Sequence, residues 1–161
     1  MSSDRISRRT AFLGLMALGG CGFAPVYGED NALRNQISFR TQDSVAGFEL
    51  RGRLEERLGV ASSPRYVLSV RQSSRRRTAA ITDDGDITRF NLLGTANWVL
   101  SDRSTGTRIK AGQVQTFTGY SATGATSATQ AAEDDAVRRL SVALADLIVT
   151  RLLLLSSELE A

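Results

Sequence analysis

Histidine is absent from the 161 residues, cysteine occurs once and proline twice. Without histidine the chain lacks the side chain most used for general acid–base catalysis near neutral pH. A lone cysteine excludes an internal disulfide, and any metal site would have to be built from carboxylates alone. Long apolar runs are missing too. The run at residues 11–18 is far shorter than the ~20 residues that span a bilayer. No phosphate-cradling Gly-x-x-x-x-Gly-Lys motif occurs. Charge of one sign is also scarce. The chain has 20 Lys+Arg against 17 Asp+Glu, and residues 1–20 hold Arg5, Arg8, Arg9 and Asp4. Taking those away leaves 17 basic and 16 acidic residues, a net of +1. That balance gives no reason to expect nucleic-acid binding.

What is present begins with Leu18-Gly19-Gly20-Cys21. An aliphatic residue three positions before a cysteine, with small residues between, is the cut site of a bacterial lipoprotein signal. The thiol accepts a diacylglycerol as a thioether, and the two glycines admit the backbone to a peptidase. Arg5, Arg8 and Arg9 form a positive n-region, and residues 11–18 form the h-region. Ser7-Arg8-Arg9-Thr10-Ala11-Phe12-Leu13 also resembles a twin-arginine signal, so both export routes stay open. Residues 1–20 are therefore expected to be removed. Cys21 is expected to carry diacylglycerol and an acyl chain, and no other cofactor is implied. Each buried methylene adds ~0.8 kcal/mol, so such an anchor is permanent.

The remaining 141 residues suit one domain. Residues 21–34 read as a lipidated tether, and residues 35–161 as a single α+β domain. Residues 36–40 alternate as a short strand. Asp43 is a candidate N-cap for a helix over 44–58, where Gly47, Leu50, Leu54 and Leu58 share a face. Glu49 and Arg53 are spaced for an ion pair, and Gly59 for a left-handed C-cap. Residues 66–72 alternate as a strand. Residues 87–100 form a long strand with Phe90, Leu92, Ala96, Trp98 and Leu100 on one side. Asp83-Asp84-Gly85-Asp86 is the hairpin turn before it. Those aspartates could hold a hard cation, but a solvated hairpin tip explains them as well. Residues 102–107 turn again, and 108–120 form another strand. Ser127-Ala128-Thr129-Gln130 has capping-box spacing ahead of a last helix. Glu133, Asp134 and Asp135 follow near its start, with Asp134/Arg138 and Asp135/Arg139 as i,i+4 pairs. Val137, Leu140, Leu144, Leu147, Ile148 and Leu155 make its core stripe, with Arg151 snorkelling from within it. The order β-α-β-β-β-α predicts two helices packed on one face of a four-stranded, mostly antiparallel sheet.

Several segments together resemble the lipopolysaccharide-assembly lipoprotein family LptE, especially its alphaproteobacterial members. They are Cys21-Gly22-Phe23-Ala24-Pro25-Val26-Tyr27-Gly28 directly after the lipobox, Tyr120-Ser121-Ala122-Thr123, the run from Ser127 to Ala136, and Leu144-Ala145-Asp146-Leu147-Ile148. The resemblance implies an outer-membrane lipoprotein on the periplasmic side, not an enzyme. It implies a plug inside the LptD β-barrel that assists barrel assembly and the passage of lipopolysaccharide to the surface. Gly22 after the lipidated cysteine is compatible with sorting to the outer membrane. The alternative is another envelope-assembly lipoprotein that binds a protein partner without lipopolysaccharide.

Two features are candidates for function. Arg71, Arg75, Arg76 and Arg77 lie close together in a nearly neutral domain. Arginine forks suit phosphate oxygens, so these residues are candidate lipopolysaccharide contacts. They also suit a solvated hairpin base, or pairing with acidic residues of the barrel wall. Val142, Val149 and Leu153 face away from the core stripe of the last helix and are a candidate partner interface. Coverage by the chain's own sheet or tether explains them equally.

Overall fold

The computed structural model describes residues 33–81, 83–85, 87–122 and 125–159. The lipobox residues Leu18, Gly19, Gly20 and Cys21 lie outside the described residues. The order is β1 (Ile37–Arg40), α1 (Val45–Leu58), β2 (Tyr66–Ile81), β3 (Ile87–Asp102), β4 (Arg108–Ser121) and α2 (Thr126–Leu159). The four strands form one sheet in sequence order. β1 runs parallel to β2, and β2, β3 and β4 form an antiparallel meander. This is the expected α+β arrangement. No helix among the described residues is long and apolar enough to cross a membrane.

Alternation in the strands creates the two faces. Leu68 and Val70 of β2, Leu92, Ala96, Trp98 and Leu100 of β3, and Val114 and Tyr120 of β4 are all buried. They point to the side on which both helices lie. α2 packs on β3, β4 and α1, while α1 packs against β1 and α2. Two glycines make close approach possible. A Cβ on Gly94 would lie 2.9 Å from the Leu140 side chain, and one on Gly112 would lie 2.7 Å from the Trp98 ring. Across the helix pair, Arg53 donates to both carboxylate oxygens of Asp146, at 2.9 and 3.2 Å. Arg57 donates to the same carboxylate at 3.3 Å. The Arg53 bonds to Asp146, and after them one to Glu56 at 2.8 Å, hold the Arg53 guanidinium pKa above its ordinary value.

Local details correct several expectations. The N-cap of α1 is Ser44, not Asp43; its hydroxyl accepts from the Gly47 N–H at 3.1 Å. Gly47 sits against the Gln42 carbonyl, where a side chain would not fit. Substituting Ser44 by alanine is expected to destabilise the fold by ~1 kcal/mol, read as a lower urea midpoint at unchanged slope. Arg53 turns to Asp146 and Glu56 rather than Glu49, while Arg51 pairs with Glu55 at 3.0 Å. Gly59 has φ 78° but ψ 169°, so it leaves α1 with positive φ outside the left-handed helical well. Asn35, at φ 56°, donates its N–H to the last helical carbonyl, Leu58. Leu33, within the span expected as tether, is fully buried.

At the other end, α2 begins at Thr126, so Ser127 and Gln130 lie inside the helix rather than forming a cap. Gln130 donates instead to Asp134. Asp135 meets Arg139 at 2.7 Å and Arg138 at 3.8 Å. The acidic trio lies beyond the first turn, so capping does not explain it. The turn after β3 is held by Asp102, whose carboxylate accepts from the Ser104 hydroxyl at 2.6 Å and the Ser104 and Thr105 N–H groups at 2.8 and 3.0 Å. These donors, the Ser104 hydroxyl first, lower its pKa from 3.8 to about 2. The charged carboxylate is therefore stabilising above about pH 4 and loses that contribution as the pH falls through about 2. The stability gap between the native chain and Asp102→Asn should be constant near neutrality and close over that acid window, in urea titrations at stepped pH.

Candidate functional site

Burial separates the two halves of the sheet. Alternate residues of β3 are buried from Leu92 to Leu100, whereas residues 73–81 of β2 are all exposed. The four candidate arginines therefore sit inside a 16-residue strand, rather than at the end of a short one. Alternation splits them. Arg76 points to the helix side. Its guanidinium lies 4.8 Å from the Phe90 ring centroid and donates to Glu133 of α2 at 3.3 Å and the Tyr120 hydroxyl at 3.5 Å. Tyr120 first, and Glu133 after it, raise the Arg76 pKa. Glu133 thus gains a role that its position on the helix alone did not suggest.

Arg71, Arg75 and Arg77 point to the opposite, helix-free face. Their cross-strand neighbours are Asn97, Leu93 and Asn91 of β3, which pair in turn with Gln113, Phe117 and Gly119 of β4. The open face is thus a grid. One row reads Arg71, Asn97, Gln113, with Gln113 donating to Asn97 at 2.8 Å. Another reads Arg75, Leu93, Phe117, and Phe117 is 66 % exposed. A third reads Arg77, Asn91, Gly119. Alternate residues on a strand are ~7 Å apart, so Arg75 and Arg77 present two cations beside an apolar island. Among the described residues no carboxylate pairs with Arg71, Arg75 or Arg77. Near the end of β1 the same face holds an open notch of about 500 Å³ lined by Arg40, Gln42, Ser69, Arg71, Asn97 and Val99. Arg40 was missed by sequence reasoning, because only the register of β1 on β2 brings it to Arg71. The arrangement can bind anionic groups with adjoining apolar substance. It holds no nucleophile–base pair.

The second candidate surface does not survive. Val149 and Leu153 are 1 % and 7 % exposed, and Val142 is half-buried. α2 is covered on two sides, by the sheet and by α1, so its buried stripe is wider than one face. The outward apolar residues are Leu147, expected in the core, and Leu154, at 38 % and 58 % exposure. Arg151 is exposed beside Leu154 rather than within the buried stripe. At the β2–β3 turn Asp83 and Asp84 are exposed, while Asp86 lies outside the described residues.

Solved structures share this architecture. A lipoprotein from Caulobacter crescentus CB15 superposes with a TM-score of 0.64 at 23 % identity, over 76 % of this chain and 92 % of that one. Rare lipoprotein B from Shewanella oneidensis gives 0.62 at 16 % identity, over 78 % and 99 %. A minor lipoprotein from Acinetobacter baumannii gives 0.57 at 24 % identity, over 73 % and 89 %. At these identities the likeness defines the fold, one used by bacterial lipoproteins. A comparison with curated proteins returns no match. The sequence itself goes further: the family model LptE, lipopolysaccharide-assembly, matches residues 30–152. The chain belongs to the LptE family.

Proposed function

We propose that this chain is an outer-membrane lipoprotein that plugs the LptD β-barrel, assists its assembly and takes part in lipopolysaccharide transport to the cell surface. In this reading residues 1–20 are removed at Leu18-Gly19-Gly20, and Cys21 carries diacylglycerol and an acyl chain on the periplasmic side. The work is binding and assembly, with no bond made or broken. The observation that carries the reading is the family match over residues 30–152. The open sheet face adds chemistry to it. Arg71, Arg75 and Arg77, unpaired among the described residues and set beside Leu93 and Phe117, suit the phosphates and acyl chains of lipopolysaccharide. Arg76 belongs to a different task, fixing β2 to α2 through Glu133.

The test is a purification of the tagged full-length chain from outer membranes in mild detergent. A large β-barrel co-purifying near one-to-one supports the plug role. Recovery of the folded, lipidated chain alone removes it and leaves a lipoprotein with another partner. Mass spectrometry of the same sample reads whether the N-terminus is acylated Cys21.

A further inference from the structure

We propose that the free edge of β2 is a docking strand for an extended acidic segment of a partner protein, bound by β-strand addition. The proposal does not need the lipopolysaccharide reading, because its affinity comes from backbone groups at the strand edge, although it draws on Arg75 and Arg77, which also lie on the open face.

β1 covers only the first residues of β2. Its register runs from Ile37 on Tyr66 to Arg40 on Ser69 and stops. Beyond it, the Gln42 side chain takes over, and its oxygen accepts the Gln72 N–H at 2.7 Å. That bond identifies which edge Gln72 faces. The N–H groups of Ser74, Arg76 and Thr78 then face the same way, because backbone direction repeats every second residue. The β2–β3 ladder is regular as far as Thr78, so this edge stays straight over those residues. Among the described residues no strand lies along it. The opposite edge of the sheet is less available. Arg139 donates to the Gly119 carbonyl of β4, and a register shift interrupts β4 opposite Leu100 and Ser101.

Charge decides the occupant. Natural edge strands use cations to discourage pairing, and β2 carries Arg71, Arg75, Arg76 and Arg77 with no acidic residue along its length. Pairing with a second copy would set arginines against arginines, which is unfavourable between directly opposed strands. An acidic strand meets the opposite condition. Its main chain satisfies the edge N–H groups, and carboxylates at alternate positions reach Arg75 and Arg77 on the open face.

The experiment uses the full chain, isotope-labelled, in detergent micelles. The probe is a synthetic peptide of about ten residues alternating aspartate and valine. Its variants are methylated on backbone nitrogen at the odd or the even positions, and a further variant carries lysine for aspartate. The expected result is slower amide exchange at Ser74, Arg76 and Thr78 with the parent peptide. One methylated register should bind roughly tenfold or more weakly, from the loss of several hydrogen bonds, and the other should bind unchanged. The lysine peptide should not protect these amides. No protection by the parent peptide, equal binding of both methylated registers, or equal binding of the lysine peptide overturns the proposal. Protection of the same three amides by lipopolysaccharide micelles but not by peptide also overturns it, in favour of a lipid at this edge.

Discussion

Leu140→Ala and Gly94→Ala are each expected to destabilise the fold, and together to cost less than their sum. Leu140 is 3 % exposed and sits in the space that Gly94 leaves by lacking a side chain. Removing the leucine opens a cavity beneath α2, at a cost of about 2–5 kcal/mol for a buried site. Adding a methyl at Gly94 overfills the same spot, because the new Cβ would lie 2.9 Å from three Leu140 carbons. Overpacking of this kind costs about 1–3 kcal/mol. In the double variant the alanine methyl on the strand enters the volume vacated on the helix. The coupling should be about 0.5–3 kcal/mol in the compensating direction, read from urea unfolding of the four proteins. Strict additivity would mean that helix and strand do not share this contact.

Reversing Arg75 and Arg77 together to glutamate is the second large effect, and it falls on binding rather than stability. Both side chains lie on the open face, outside the buried core, so the thermal midpoint should hardly move. Charge-assisted hydrogen bonds to phosphate are worth about 1.5–3 kcal/mol each. Losing two of them should weaken lipopolysaccharide binding by roughly a hundredfold or more. Raising the salt should narrow the difference, since exposed charges are screened. Arg76→Glu should behave in the opposite manner. It sets a carboxylate against Glu133 and the Phe90 ring face, so the midpoint should fall while the open face keeps its charge. Unchanged lipopolysaccharide binding and export in the double reversal would eliminate the open face as the contact.

The contrast between Arg76 and its neighbours also marks where the sequence stops being readable. Alternation alone assigns Arg71, Arg75 and Arg77 to one side and Arg76 to the other, provided β2 is known to continue. From Ser73 onward every residue of the strand is exposed, so the apolar half of the pattern fades and the strand reads as finished at Gln72. β3 stays legible because helix α2 covers its middle, from Leu92 to Leu100. Val149 and Leu153 show the reverse problem. A helical wheel gives the width of an apolar stripe but not how many neighbours share it, and α1 claims the side that appeared spare. Asp43 and Ser44 both suit a cap, and only the folded backbone shows that it is the Ser44 hydroxyl that meets the Gly47 N–H. The notch at Arg40 and Arg71 depends on a parallel pairing between segments separated by a helix, which local patterning does not encode.

The link between Arg53 and Asp146 joins residues 93 apart in the chain. The β2–β3–β4 meander is connected by tight turns, and its contacts can form early and locally. The groove for α1 is complete only when α2 is in place, and α2 follows every other described element in the chain. Until then Leu50, Leu54 and Leu58 have only part of their cover. Truncation before Asp146 should therefore leave Leu50, Leu54 and Leu58 without their full cover and the N-terminal half without a stable resting place.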